Sequence, residues 1–90
     1  MNSPLVSIVI PTYNHAKFIG KALKSVLDQT YENWEAIVID NQSTDQTSKI
    51  LSNYTDPRIK CFKINNDGII AKSRNLGIKK ATGEWIAFLD

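Results

Sequence analysis

The amino-acid sequence predicts an α/β fold: a three-layer, Rossmann-like parallel sheet of about four strands, order 3-2-1-4, with helices on both faces. Two observations carry this. Four short apolar bursts, VSIVIPTYN, WEAIVIDNQST, IKCFKINND and EWIAFLD, each run into polar residues at their C-terminal end. Between them lie three stretches with helical spacing, so the order βαβαβαβ requires parallel strands joined by right-handed crossovers.

From Leu5 to Ile10 the residues are almost all apolar and largely β-branched, which suits a strand covered on both faces. Pro11 is expected to end it, because proline cannot donate to a ladder. Asn14 is the expected N-cap of a helix in which Phe18, Ile19, Ala22, Leu23, Val26 and Leu27 pack while Lys17, Lys21 and Lys24 face water. Gln29 to Asn33 form a turn into a second strand, Trp34 to Ile39, followed by a loop at Asp40, Asn41 and Gln42. Ser43 with Gln46 has the spacing of a capping box for a short helix, with Ile50, Leu51 and Tyr54 on its apolar face. Thr55-Asp56-Pro57 stops it.

The third strand, Ile59 to Ile64, carries Lys60 and Lys63, a common guard for a sheet edge. Asn66-Asp67-Gly68 marks a turn. A third helix is expected from Ile69 to Ala81, packing through Ile70, Ala71, Leu76, Ile78 and Ala81, with Gly83 as its stop signal. Trp85 to Leu89 form the fourth strand. With the lysine-bearing strand at one edge, the winding reverses between the first and fourth strands, and a crevice opens beyond their carboxyl ends. Tyr13, Asn14, Asp40, Asn41, Asn65 and Asp90 are expected on that rim.

Ninety residues, 1–90, bound a single domain, which buries only ~60 to 65% of the surface exposed when unfolded. With 42% hydrophobic and 22% charged residues the composition is that of a folded core. A formal charge of +2, with no basic run interleaved with aromatics, leaves no electrostatic footprint for a phosphate backbone, and no nucleic-acid partner is expected. One cysteine, Cys61, fits a reducing compartment and is expected to be a small buried hydrophobe. No apolar run approaches the ~20 residues of a membrane span, and Met-Asn-Ser-Pro is not a signal peptide. The expected location is the cytoplasm, with any membrane attachment carried by other segments.

After the first strand stands PTYNHAKFIG, which matches neither G-x-G-x-x-G nor G-x-x-x-x-G-K-[ST]. The missing phosphate cradles speak against a dinucleotide dehydrogenase and a P-loop NTPase. The rim offers instead an aromatic, amides and carboxylates. Tyr13 can stack on a base, Asp40 or Asn41 can bond its edge or a ribose, and a carboxylate after the fourth strand can hold a divalent cation on a pyrophosphate. Each has a purely structural alternative: Tyr13 and Asn14 as turn formers, Asp40 as a capping residue, Arg74 and Asn75 as a solvated face, His15 as an exposed side chain.

Taken together, VSIVIPTYN, SVLDQTYENWEAIVIDNQSTDQT and GIIAKSRNLGIKKATGEWIAFLD resemble the opening of a family 2 glycosyltransferase with the GT-A fold, in order and spacing over nearly the whole chain. The resemblance implies a nucleotide-sugar donor, UDP- or dTDP-linked, a glycan or lipid-linked acceptor, and transfer with inversion. It implies that Pro11, Thr12, Tyr13 and Asn14 help hold the nucleoside, that Asp40 and Asn41 contact base or ribose, and that Arg74 lies near the nucleotide. Asp90 matches the first acid of the family's D-x-D type motif for Mn²⁺ or Mg²⁺. The rest of that motif, the acceptor site and the catalytic base are expected beyond Asp90, so the 90-residue piece is expected to be a donor-binding half without transfer activity. Two departures stand out: Asn41 where many members carry a second acid, and Ser73 where many carry alanine. A homo-oligomer through the exposed edge of the fourth strand is also expected. Two other classes share the βα pattern. One is a non-catalytic interaction or nucleotide-binding module. The other is a phosphoacceptor receiver domain, whose acids would begin where this chain has Pro-Thr-Tyr-Asn.

Overall fold

The computed structural model describes residues 3–41, 44, 46–65 and 70–89, with Ile70 and Ala71 described by backbone alone. Expectations resting on Gln42 and Ser43, on the Asn66-Asp67-Gly68 turn, on Ile69, on the side chains of Ile70 and Ala71 and on Asp90 lie outside the described residues. The elements are β1 (Val6–Thr12), α1 (Ala16–Asp28), β2 (Trp34–Asn41), α2 (Thr47–Ser52), β3 (Ile59–Ile64), α3 (Ile70–Lys80) and β4 (Trp85–Phe88). The four strands are parallel, in the order β3-β2-β1-β4, as the patterning predicts.

Alternation along the strands sorts side chains to two faces. Ile10, Trp34, Ala36 and Val38 join Ile19, Leu23 and Val26 of α1 and Leu51 of α2 in one core cluster. Each larger side chain there contributes roughly 1.5–3 kcal/mol before ordering entropy is subtracted. Tyr54 ties the end of α2 to α1, its hydroxyl donating to the Gly20 carbonyl at 3.1 Å. On the opposite face α3 lies over β1 and β2, and Gly77 sits so close that an added Cβ would stand 2.3 Å from Cγ1 of Val9.

Several local expectations are corrected. β1 runs through Pro11 to Thr12. The Leu5 and Val9 carbonyls accept from Glu84, Trp85 and Leu89 on the β4 side, whereas the Val6 N–H donates toward β2. By the same alternation Pro11 turns its missing donor toward β4, where the ladder has already ended at Val9↔Phe88. Helix α1 is preceded by His15 rather than Asn14, and Gln46 precedes α2 instead of occupying its third position; neither His15 nor Gln46 makes a side-chain capping bond. Gly83 lies three residues beyond α3 and serves close packing, since a Cβ there would meet Ser7 Oγ at 2.6 Å.

Three apolar residues are more exposed than their spacing predicts. Leu27 lies in the last turn of α1, Ile78 in the second half of α3, and Cys61 on the edge strand β3. At the other edge β4 exposes Trp85, Ile86 and Phe88.

Two helix glycines make opposite predictions. Gly77→Ala should destabilise the fold by about 1–3 kcal/mol, because the clash with Val9 outweighs the gain in helix propensity. Gly20→Ala should stabilise it by up to about 1 kcal/mol, since its Cβ would meet Ile50 Cγ2 at an ordinary 3.7 Å. Urea unfolding midpoints measure both; an unchanged midpoint for Gly77→Ala would mean that α3 is not seated so closely.

Candidate functional site

β1 and β2 pair in register from Val6↔Trp34 to Thr12↔Asp40, so a hydroxyl and a carboxylate stand side by side on the last rung. Both face the α1/α2 side, following Ile10 and Val38 by alternation. Thr12 is 5% and Asp40 1% exposed. The Thr12 hydroxyl is buried with no hydrogen-bond partner among the described residues. A buried hydroxyl left unpaired costs roughly 1–3 kcal/mol, which a ligand atom bonded to it would recover. Lys63 of β3 is in register with Asp40. Although Cys61 is exposed as a residue, burial first and the Asp40 carboxylate second push its thiol above the usual range, which disfavours the reactive thiolate.

Tyr13 leaves the strand end 54% exposed, its ring presented on the rim. Asn14 then adopts a left-handed conformation, φ 46°, which asparagine tolerates better than most residues. Its Oδ1 accepts from the Thr44 backbone N–H at 2.6 Å and from the Thr44 hydroxyl at 3.3 Å. The residue expected as a helix cap is thus a tie between the loops leaving β1 and β2. His15 is exposed and stacks on Phe18, centroids 5.0 Å apart, in keeping with its bland reading.

On the other face of the same rim Asn41 follows Asp40 and is buried. Arg74, half-buried, holds its guanidinium carbon 5.6 Å from the Phe88 ring centroid. Gly77 fixes the helix over Val9, and Arg74 lies one turn, ~4.5 Å, nearer the rim. The structure therefore brings Thr12, Asp40 and Asn41 to the ends of two neighbouring strands. Pro11 lies one residue before them, Tyr13 and Asn14 lie in the adjoining loop, and Arg74 lies beside the end of β4. Asp90, expected next to that end, is outside the described residues, and among the described residues no cluster of three or more His, Cys, Asp or Glu could hold a metal ion.

A second polar cluster at the opposite end of the sheet escaped the sequence reading. Glu35, 4% exposed within the apolar run of β2, accepts from Ser7 Oγ (2.6 Å), the Thr82 N–H (2.7 Å), the Thr82 hydroxyl (3.0 Å) and Lys60 Nζ (2.9 Å). The Gly83 N–H donates in turn to Ser7 Oγ at 2.8 Å. One carboxylate thus joins three strands to the connection between α3 and β4. The signal available was a polar residue at the start of each of three strands, Ser7, Glu35 and Lys60.

The family model for glycosyl transferase family 2 matches residues 7–90, which take in both clusters. The chain belongs to that family. It is 42% identical to the UDP-Glc:alpha-D-GlcNAc-diphosphoundecaprenol beta-1,3-glucosyltransferase WfgD of Escherichia coli over 90 residues, covering all of this chain and 36% of that protein. The structure of S. aureus TarS 1-349 in complex with UDP superposes with a TM-score of 0.87 at 36% identity, covering 94% of this chain and 26% of that one. The mannosyltransferase PcManGT of Pyrobaculum calidifontis, solved with GDP-Man and Mn²⁺, gives 0.78 at 29% identity, covering 94% and 26%. The GT-A fold expected from the resemblance is shown by these neighbours. The chain spans 12% to 37% of the length of the first curated relatives it matches.

In this family 2 chain the Thr-Gly of Thr-Gly-Glu-Trp thus serves Glu35, at the far end from the rim. Burial alone would raise the Glu35 pKa, but the bonds from Ser7, the Thr82 backbone, Lys60 and the Thr82 hydroxyl outweigh it and hold the carboxyl at about 2, against an ordinary 4.5. The folded-state value is depressed, so the contribution is full above pH 4.5 and is lost as pH falls through about 2. It amounts to about 3 kcal/mol. Glu35→Gln should lower stability at pH 7 and flatten its dependence between pH 5 and 2, as read from urea midpoints across that range; parallel acid limbs for the two proteins would contradict the assignment.

Proposed function

We propose that the protein transfers a sugar from a nucleoside diphosphate donor to an acceptor hydroxyl with inversion, and that these 90 residues are its donor-binding half. The observation that carries this is the buried Thr12–Asp40 rung opening onto the rim of a family 2 chain. The complexes of TarS with UDP and of PcManGT with GDP-Man support the same class of donor, and the UDP-Glc in the name of WfgD favours a uridine nucleotide.

On this reading the exposed Tyr13 ring stacks on the base, while Asp40 accepts from a base N–H or a ribose hydroxyl. Thr12, next to it on the rung, gives its buried hydroxyl to the same nucleoside, with Pro11 and Asn41 completing the strand ends. Arg74 carries positive charge toward the diphosphate. The acceptor oxygen attacks the anomeric carbon as the bond to the diphosphate breaks, and the hydroxyl proton passes to a carboxylate base outside these residues. Mn²⁺ or Mg²⁺, held through Asp90, would supply positive charge to the departing diphosphate; the Mn²⁺ of the PcManGT complex supports this choice of ion. The acceptor is a glycan or a lipid-linked glycan, as the diphosphoundecaprenol in the name of WfgD favours. No helix among the described residues is long and apolar enough to cross a membrane.

Calorimetric titration of the full-length protein with UDP, dTDP and GDP, with and without Mn²⁺, tests the reading. Metal-dependent binding of UDP or dTDP is expected, weakened about tenfold or more by Asp40→Asn. No affinity for any of the three would end the donor hypothesis. The 90-residue chain alone should turn over no nucleotide sugar, and measurable transfer by it would refute its assignment as a half. Its apolar β4 edge should also pair with a second copy; light scattering showing a clean monomer at high concentration would contradict this.

A further inference from the structure

We propose that Asn14 is a positioning residue: it clasps the loop leaving β2 and so holds the nucleoside seat in shape, without itself touching the nucleotide. This rests on the donor reading above. β1 and β2 are held together by ladder bonds only as far as Thr12↔Asp40. Beyond that rung no further β1–β2 pairing is found among the described residues. Thr12 and Asp40, the buried groups assigned to the nucleoside, sit on this last rung.

Asn14 stands two residues after Thr12, and Thr44 four after Asp40. The 2.6 Å bond from the Thr44 N–H to Asn14 Oδ1, with the Thr44 hydroxyl at 3.3 Å, closes the gap between the loops directly past the rung. The backbone of Asn14 is shaped for this, since φ of 46° is a conformation most side chains disfavour. Tyr13 lies between the last ladder residue and this tie, so both of its neighbours are fixed and its exposed ring is presented from a braced turn. An Asn oxygen already accepting two hydrogen bonds is a structural acceptor. Two requirements therefore fall on position 14, an acceptor oxygen and tolerance of positive φ, and aspartate meets both.

Asn14→Asp and Asn14→Gly separate these roles in the full-length protein. Glycine relieves the backbone but removes the acceptor; aspartate keeps the acceptor and removes the NH₂. UDP affinity with Mn²⁺ should stay within about twofold in Asn14→Asp and fall about three- to tenfold in Asn14→Gly. Hydrogen exchange at the Thr44 amide should be slow in the wild type and in Asn14→Asp, and faster in Asn14→Gly. Equal losses in the two variants, with the Thr44 amide still protected in Asn14→Asp, would show that the acceptor tie to Thr44 is not what position 14 contributes to binding, and overturn the proposal. So would unchanged affinity in Asn14→Gly. A wild-type protein that binds no nucleoside diphosphate while protecting the Thr44 amide would instead bring down the donor reading, and the inference with it.

Discussion

The register of β1 against β2 is the constraint on which the rest of the molecule depends. A one-residue slip would turn Ile10 and Val38 out of the core and carry Thr12 away from Asp40, because side chains alternate faces with period two. The apolar middle of the two strands, Ile8-Val9-Ile10 against Ala36-Ile37-Val38-Ile39, is too uniform to choose one register by shape. Polar groups at both ends make the choice. Ser7 bonds Glu35 at one end, and Asn14 bonds Thr44 at the other, so a slipped ladder would strand buried or braced hydrogen-bonding groups at both.

The two buried carboxylates among the described residues of this sheet differ in their surroundings. Glu35 is surrounded by four donated hydrogen bonds, from residues spread over most of the chain, and its charge is kept by them. Such a group holds a fold together and has no capacity left for a ligand. Asp40 stands beside a buried hydroxyl that has no partner among the described residues, at the end of the sheet where open α/β folds receive their ligands. Fixing the first end lets the second stay open, since the strands that carry the rim cannot slide.

Fold class, strand order and the placing of Tyr13, Asp40 and Asn41 at the strand ends were legible because they follow from periodicity and from where each apolar burst stops. Lys60 and Lys63 marked the β3 edge correctly for the same reason. What was not legible depends on distance across the chain. Asn14 reads as a cap because a polar residue before a helix normally caps it, and its actual partner is thirty residues away. Pro11 reads as a terminator because only the structure shows which neighbour its missing N–H would face and that this neighbour has already ended. Leu27, Ile78 and Cys61 have core spacing, but spacing names a face and not how far its cover extends. Glu35 was passed over because a lone acid in an apolar run shows nothing of the four donors that converge on it.

Helix α3 links the two ends. Its C-terminal connection is moored where Thr82 and Gly83 bond Glu35 and Ser7, and its middle is seated on Val9 through the missing side chain of Gly77. Two points fixed along one rigid rod determine where the rest of it goes. Arg74, one turn beyond the second point, is thereby placed against Phe88 at the end of β4, the strand that leads toward Asp90. A carboxylate at the closed end of the sheet thus helps to set where a guanidinium stands at the open end, through helix geometry and packing alone. The Arg-Asn-x-Gly and Thr-Gly-Glu-Trp runs act as one unit for this reason: the arginine belongs to the rim, and the glycines and threonine hold it there.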